Sequence, residues 1–428
     1  MVGTTNIGLT YKPADVSEEG TIVLRSCNII NGKIDLEDLV RVKTDIRDNQ
    51  YIEENDILIC ARNGSRSLVG KCAVMNNIGE KTSFGAFMAV FRSICYRYVY
   101  HYFNTLLFRS AFDNDDSKQI NQVTQAILQD TMIPLPPFAE QERIVSTLDE
   151  TFALVDLINE ETENIEFLIK STKAHILDLA IRGKLVPQTP DDEPASVLLE
   201  RIRAEKEELI KQGKIKRDKK ESVIFKGEDN SYYLNDGSTD INITSELPFN
   251  IPASWRWAQI NNVLIVNPRN KLYDELEVSF VPMPLINDGY SGKHTAEVRK
   301  WKDIKTGFTH FSEGDVGVAK ISPCFENLKS TVFENLSNGY GAGTTELYIL
   351  RPYKDTILAR YLLMYIKSDY FIRNGKQTCT GDVGQQRVRK DYVESAYFPI
   401  PPLNEQHRIV EAIETAFSQL DAIAESLN

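Results

Sequence analysis

One phrase occurs twice in this chain: residues 133–145 read IPLPPFAEQERIV, and residues 398–410 read FPIPPLNEQHRIV. They align at an offset of 265 (410 minus 145). That offset lays Pro134 on Pro399, Pro136 and Pro137 on Pro401 and Pro402, Glu140 and Gln141 on Glu405 and Gln406, and Arg143 on Arg408. Ile144, Val145, Phe152 and Asp156 likewise meet Ile409, Val410, Phe417 and Asp421. At a slightly smaller offset NDILICARN (55–63) resembles GDVGVAKIS (314–322). The chain therefore repeats one plan: a β-rich variable part, a proline punctuation mark, then a helix. The expected fold class is α+β, with two β-rich domains separated by long antiparallel coiled-coil helices in a pseudo-two-fold internal repeat. A length of 428 residues agrees, being too great for one ordinary core.

The prolines say where each helix begins. A residue before proline avoids the α region, and a Pro-x-Pro-Pro run is extended, so helix starts only after Pro137 and after Pro402. Glu140, Glu142 and Glu405 suit the positive end of a helix dipole. Apolar residues then recur in a regular stripe: Ile409, Ile413, Ala416, Leu420, Ile423 and Leu427 in the second copy. The first copy matches with Ile144, Leu148, Thr151, Val155, Ile158 and Thr162, and runs on through Ile165, Ile169, Thr172, Ile176 and Leu179. A period of about 3.5 residues is that of a coiled-coil seam. An ordinary amphipathic surface helix is the bland alternative; two similar stripes on one chain favour a shared seam. IRGKLVPQTPDDEPAS ends the first helix through Gly183, Pro187, Pro190 and Pro194. A charged helix follows over 197–220, and 221–246 is a polar connection. The expected domains are 1–137, 138–220 (helical spacer), 221–402 and 403–428 (distal helix).

Composition narrows the class. At 42% hydrophobic and 26% charged, with no apolar run of a membrane span's length, the chain reads as soluble and globular. Its start, MVGTTNIGLTYKPAD, has neither a basic patch nor an apolar core, so a cytoplasmic location without a signal peptide is expected. Cys27, Cys60, Cys72, Cys95, Cys324 and Cys379 form no C-x-x-C pair and read as reduced thiols. The net charge of −12 argues against indiscriminate coating of nucleic acid. It leaves room for a local basic face, which is what DNA binding needs.

The EQxRIV helices after a proline run, the AIRGKLVPQ break, the RIRAEKEELIKQGK helix and the LPFNIPASWRW lead-in together resemble the specificity subunit of type I restriction-modification systems. The likeness covers essentially the whole chain and is most specific over 134–220. It implies two target-recognition domains, each reading one half of a split, asymmetric double-stranded DNA target. Conserved helices would hold them apart and dock two modification (methyltransferase) subunits, with restriction (ATP-dependent translocase-nuclease) subunits joining the complex. No cofactor is expected in this chain; S-adenosylmethionine, ATP and Mg would sit on the partner subunits. A helix over 140–181 is roughly 60 Å long, against roughly 34 Å per turn of B-DNA, so such a spacer suits readers one to two turns apart. Compared with the second copy, which opens on Trp255 and Trp257, the first recognition domain is expected to lack about 30 to 40 residues, and the distal helix to stop early.

Base readout needs paired donors or acceptors, and phosphate positioning needs cations and hydroxyls. In the first domain ARNGSRSLVGK offers Arg62, Asn63, Ser65, Arg66 and Lys71, and SKQINQVTQ offers Lys118, Gln119, Asn121 and Gln122. In the second, AKISPCFENLK offers Lys320, Ser322 and Lys329. NGKQTCTGDVGQQRVRK adds Lys376, Gln377, Thr378, Gln385, Gln386 and Arg387. The alternative for each is a solvated loop side chain. The Tyr96–Tyr102 aromatic run reads as a helix packed on the core rather than a base-stacking platform.

Enzyme motifs are not met. NPRN (267–270) is a poor substitute for the N-P-P-Y of an adenine methyltransferase, and GYSGKHT (289–295) lacks phosphate-loop spacing. Asp191, Asp192 and Glu193 lie in a proline-rich break, a poor scaffold for a nuclease. His101, His175, His294, His310 and His407 show no metal spacing. The expectation is a non-catalytic DNA-reading and assembly subunit. Its rivals are the DNA-reading part of a fused enzyme, and a structural coiled-coil protein with two globular heads.

Overall fold

The computed structural model describes residues 2–113, 122–217, 221–381 and 386–427. It divides into two compact units, Met1–Glu160 and Glu161–Asn428. No described helix is long and apolar enough to cross a membrane.

The first unit holds an antiparallel sheet in the order Thr4–Ile7, Met88–Arg92, Ile57–Cys60, Cys72–Val74. Beside it, Val16–Leu24 pairs antiparallel with Val40–Val42 and parallel with Thr82–Phe84. Ile57–Cys60 is apolar throughout because both of its faces are covered. Ile57 and Ile59 pack with Val99, Tyr102 and Phe103 of the helix Tyr96–Phe103. Leu58 and Cys60 pack with Ile22, Leu24 and Phe84 of the smaller sheet.

The second unit rebuilds this plan. Its antiparallel sheet runs Leu264–Val266, Leu347–Pro352, Val316–Ala319, Ser330–Val332. Its mixed sheet runs Glu297–Lys300, Glu277–Val281, Tyr340–Gly343, Thr309–Ser312, again with one parallel pair. The turn before the central strand needs a left-handed residue in both copies, filled by Asn55 (φ 68°) and by Gly314 (φ 83°). Asparagine and glycine are the residues that tolerate this conformation best.

Each turn also carries a buried carboxylate. Asp56 accepts from Arg92 Nε and Nη2 at 2.7 and 2.8 Å and from the Glu53 amide at 2.7 Å. Asp315 accepts from Arg351 Nε and Nη2 at 2.7 Å each and from the Ser312 amide at 2.8 Å. Burial raises the Asp315 carboxyl above the usual carboxylate range, against the pull of the guanidinium.

The proline segments are tied to the rest of their units by tyrosine hydroxyls. Tyr98 donates to the Pro134 carbonyl at 2.8 Å and Tyr102 to Met132 at 2.9 Å. Tyr361 donates to Pro399 and Tyr365 to Tyr397, both at 2.9 Å. The Tyr96–Tyr102 run is thus a helix with a structural task.

Helix starts directly after the prolines: a long one, Phe138–Ile181, and a distal one, Leu403–Glu425. The long helix ends at Gly183 (φ 66°), where Lys184 N–H reaches the Leu179 carbonyl at 2.9 Å in a Schellman turn. Within the second unit the two helices run antiparallel, Lys173 forming an ion pair with Asp421. Leu177, Ala180 and Ile181 share a core with Ile409 and Ile413, and Phe417 packs against it. The last turns of the long helix therefore meet the distal helix. Of the stripe marked by the periodicity, Ile144, Leu148, Ile165, Ile169, Leu420 and Leu427 are half-buried. Val155, Ile158 and Ile423 are exposed, at 46, 56 and 48%.

Replacing Arg351 by alanine leaves a buried carboxylate unpaired, and a loss of about 3–5 kcal/mol is expected. All three tryptophans (Trp255, Trp257, Trp301) lie in the second unit, so urea unfolding followed by their fluorescence reads that unit. The deficit is full at neutral pH and shrinks as the pH falls through the raised Asp315 value, because the protonated acid no longer needs its partner. An unshifted midpoint would show that the fork does not support the fold.

Candidate nucleic-acid interface

In each unit a loop between two strands of the antiparallel sheet meets a segment from the end of the domain. In the first unit Arg62 and Gln122 form an antiparallel bridge. In the second unit Ile321 and Arg387 form the equivalent bridge, and the Ser322 amide donates to the Gln386 carbonyl at 2.8 Å. Segments about sixty residues apart in sequence are thus joined through the backbone, at matching places in the two copies.

The first-unit loop is held by its own polar groups. Arg62 is exposed, its guanidinium 5.6 Å from the centre of the Phe87 ring, and its amide donates to the Phe87 carbonyl at 3.0 Å. The Asn63 side-chain amide donates to Ser26 Oγ at 3.3 Å while its Oδ1 accepts from the Ser65 amide at 3.0 Å. The hydroxyls of Ser65 and Ser67 lie 2.9 Å apart. Arg66 is exposed at the start of a single 3-10 turn, and Gln122 is exposed beside Arg62. Lys71 turns inward, its Nζ donating to the Ile29 carbonyl at 2.9 Å. Lys118, Gln119 and Asn121 lie outside the described residues.

In the second unit the basic groups sit among acids. Arg387 faces Glu346, with Nε and Nη2 at 2.9 Å from its carboxylate. Lys376 faces Glu326, which also accepts from Ser322 Oγ at 2.7 Å. The Arg387 and Lys376 hydrogen bonds hold the Glu346 and Glu326 carboxyls below the usual range. Lys320 donates to the Thr345 carbonyl at 2.7 Å and lies 4.6 Å from the centre of the Tyr348 ring; burial lowers its pKa. Gln377 is exposed at a helix end, Thr378 Oγ1 donates to the Gly375 carbonyl at 2.8 Å, and Gln386 is half-buried. Lys329 turns inward as Lys71 does, donating to the Ile286 carbonyl at 3.0 Å. Gln385 lies outside the described residues.

Lys71 and Lys329 thus share a structural position: each binds the loop to the carbonyl of a buried isoleucine in the neighbouring segment. The sequence reading missed Phe87, Glu326 and Glu346. No spacing signal links these residues to the loops they face. What the surface presents is a set of forked guanidinium groups, amides and hydroxyls, the chemistry of base-edge and phosphate recognition. Among the described residues no cluster of histidine, cysteine and carboxylate side chains suited to a metal ion occurs.

The family described as "Type I restriction modification DNA specificity domain" matches residues 4–167 and 283–428. Over 260 residues the chain is 45% identical to the type I restriction enzyme EcoAI specificity subunit of Escherichia coli, covering 60% of this chain and 40% of that protein. It is 44% identical over 243 residues to the EcoEI specificity subunit of the same species, covering 56% and 38%. The chain thus matches about two-fifths of the length of these relatives. A solved chain from work on complex assembly and conformational transition of the type I R-M system superposes with a TM-score of 0.58. That superposition covers 99% of this chain and 92% of the other at 14% identity, a likeness of fold.

The two inward lysines and the exposed amide at the helix end should separate on substitution. Lys329→Met removes the donor to a buried carbonyl and is expected to lower the stability of the second unit by about 1–3 kcal/mol. Gln377→Ala should stay within about 0.5 kcal/mol of the unaltered chain. Thermal unfolding monitored by tryptophan fluorescence makes the comparison, and a reversed ranking would place Lys329 on the surface side.

Proposed function

Because this chain belongs to the type I restriction modification DNA specificity domain family, we propose that it reads a split double-stranded DNA target, one half with each recognition domain. The observation that supports this reading most is the repeated backbone bridge between loop and domain end. Around it the first unit presents Arg62 and Gln122, and the second presents Arg387 and Gln386. One frame carrying unlike side chains suits two unlike half-targets. Guanidinium groups pair with guanine, and side-chain amides with adenine.

The chain itself acts without chemistry in this proposal. Methylation with S-adenosylmethionine and ATP- and Mg-dependent cleavage belong to separate subunits, two modification subunits and the restriction subunits. The helices after the proline segments set the gap between half-targets and dock those subunits. The net charge of −12 makes weak binding by the chain alone the natural expectation, with modification subunits adding to the grip on phosphate.

Mobility shifts with the modification subunits present should show sequence-selective, salt-sensitive binding. Arg387→Ala should relax discrimination at one position by about 1–3 kcal/mol while leaving the other half-target unchanged. Exchanging the first recognition domain should alter only the matching half of the methylated motif mapped in cells. A motif unaltered by either change would refute the reading.

A further inference from the structure

The two proline-led helices start alike but end up in different surroundings. In the second unit Glu405 is buried, its Oε2 accepting from the Trp255 indole N–H at 2.9 Å and its Oε1 from Gln188. Arg408 makes a two-pronged ion pair with Asp192. The strand Tyr397–Ile400 pairs antiparallel with Arg256–Gln259, the segment led by Trp255. Ile357 and Ile400 are buried, at 4 and 0% exposure, in the core that contains Trp255.

The matching face of the first unit is bare. The side chains of Glu140 and Arg143, the counterparts of Glu405 and Arg408, are exposed and make no hydrogen bond or ion pair with a described residue. Ile94 and Leu135, the counterparts of Ile357 and Ile400, are 92 and 54% exposed, and Phe138 beside them is 59% exposed. Residues 132–135 have the tyrosine-bound carbonyls of their counterparts, at Met132 and Pro134. Yet the amides of Ile133 and Leu135, which alternate with them, pair with no described backbone group. Extended backbone with one side held and the other open is what a further strand adds to.

We propose that this face docks an extended polypeptide segment led by a tryptophan, with the chemistry of Leu247–Gln259. The second unit supplies the template. The incoming strand pairs with residues 132–135, its apolar side covers Ile94, Leu135 and Phe138, and its indole N–H reaches the Glu140 carboxylate. The first two interactions are backbone and apolar, giving affinity, and the indole–carboxylate bond sets the register. Closing over Glu140 withdraws its charge from water, as Glu405 shows, where burial raises the carboxyl's pKa. The inference is independent of DNA reading.

The test is a fluorescein-labelled peptide, LPFNIPASWRWAQ, titrated into the full chain without DNA and followed by fluorescence anisotropy. Saturable binding is expected, weakened at least about tenfold by Glu140→Ala in the chain or by alanine at the peptide's first tryptophan. Leu135→Asp should abolish it. Glu140 and Leu135 are exposed, and circular dichroism should show both variants folded. Binding no tighter than that of a scrambled peptide would overturn the proposal, as would binding indifferent to Glu140. Concentration-dependent self-association removed by Leu135→Asp but untouched by the peptide would also overturn it, by making a second copy the occupant.

Discussion

A run of prolines offers carbonyls to its surroundings and almost no amides in return. Such a segment cannot be held in the middle of a sheet, so something else must donate to it. Here that something is a pair of tyrosine hydroxyls one helical turn apart, supplied by Tyr98 and Tyr102 in one unit and by Tyr361 and Tyr365 in the other. Those bonds fix the point at which extended chain gives way to helix. They couple the helix start to the core of each unit's sheets, because the same tyrosine helices pack on the central strands. The amide of Gln141 or Gln406 then folds back onto the carbonyl of Pro136 or Pro401, closing the first turn. Each of these contacts appears twice, and that is the physical content of the repeated phrase.

Much of this was legible in the residues. Proline chemistry placed both helix starts, and Gly183 ended the long helix where the break was read. The apolar runs at Ile57–Cys60 and Val316–Ala319 became central strands covered on both faces. Other features had no local signature. Asp56 and Arg92 are thirty-six residues apart, and nothing in either neighbourhood announces that they pair. The apolar stripe told of a buried face without telling which turns would bury it, because periodicity carries neither the sense nor the register of the partner. So Ile409 and Ile413 are buried while Val155 and Ile158 are not.

The candidate recognition residues show the same limit in sharper form. A lysine in a glycine-containing loop can face solvent or a neighbouring carbonyl, and composition does not choose. Lys71 and Lys329 face carbonyls, since each loop returns beside a segment that turns an isoleucine carbonyl towards it. Arg387 and Lys376 face carboxylates brought in from other elements. Surface ion pairs of this kind contribute little to stability and exchange readily. A phosphate or a base edge can replace the carboxylate at small expense, whereas no such exchange is open to the inward lysines.

The joints between the loops and the domain ends at Arg62–Gln122 and Ile321–Arg387 are made through the main chain. Main-chain bonds are indifferent to which side chain hangs from them. The two copies already illustrate this: arginine and glutamine meet at one joint, isoleucine and arginine at the other. A lineage carrying such a scaffold can respell its recognition surface one substitution at a time, without passing through an unfolded ancestor.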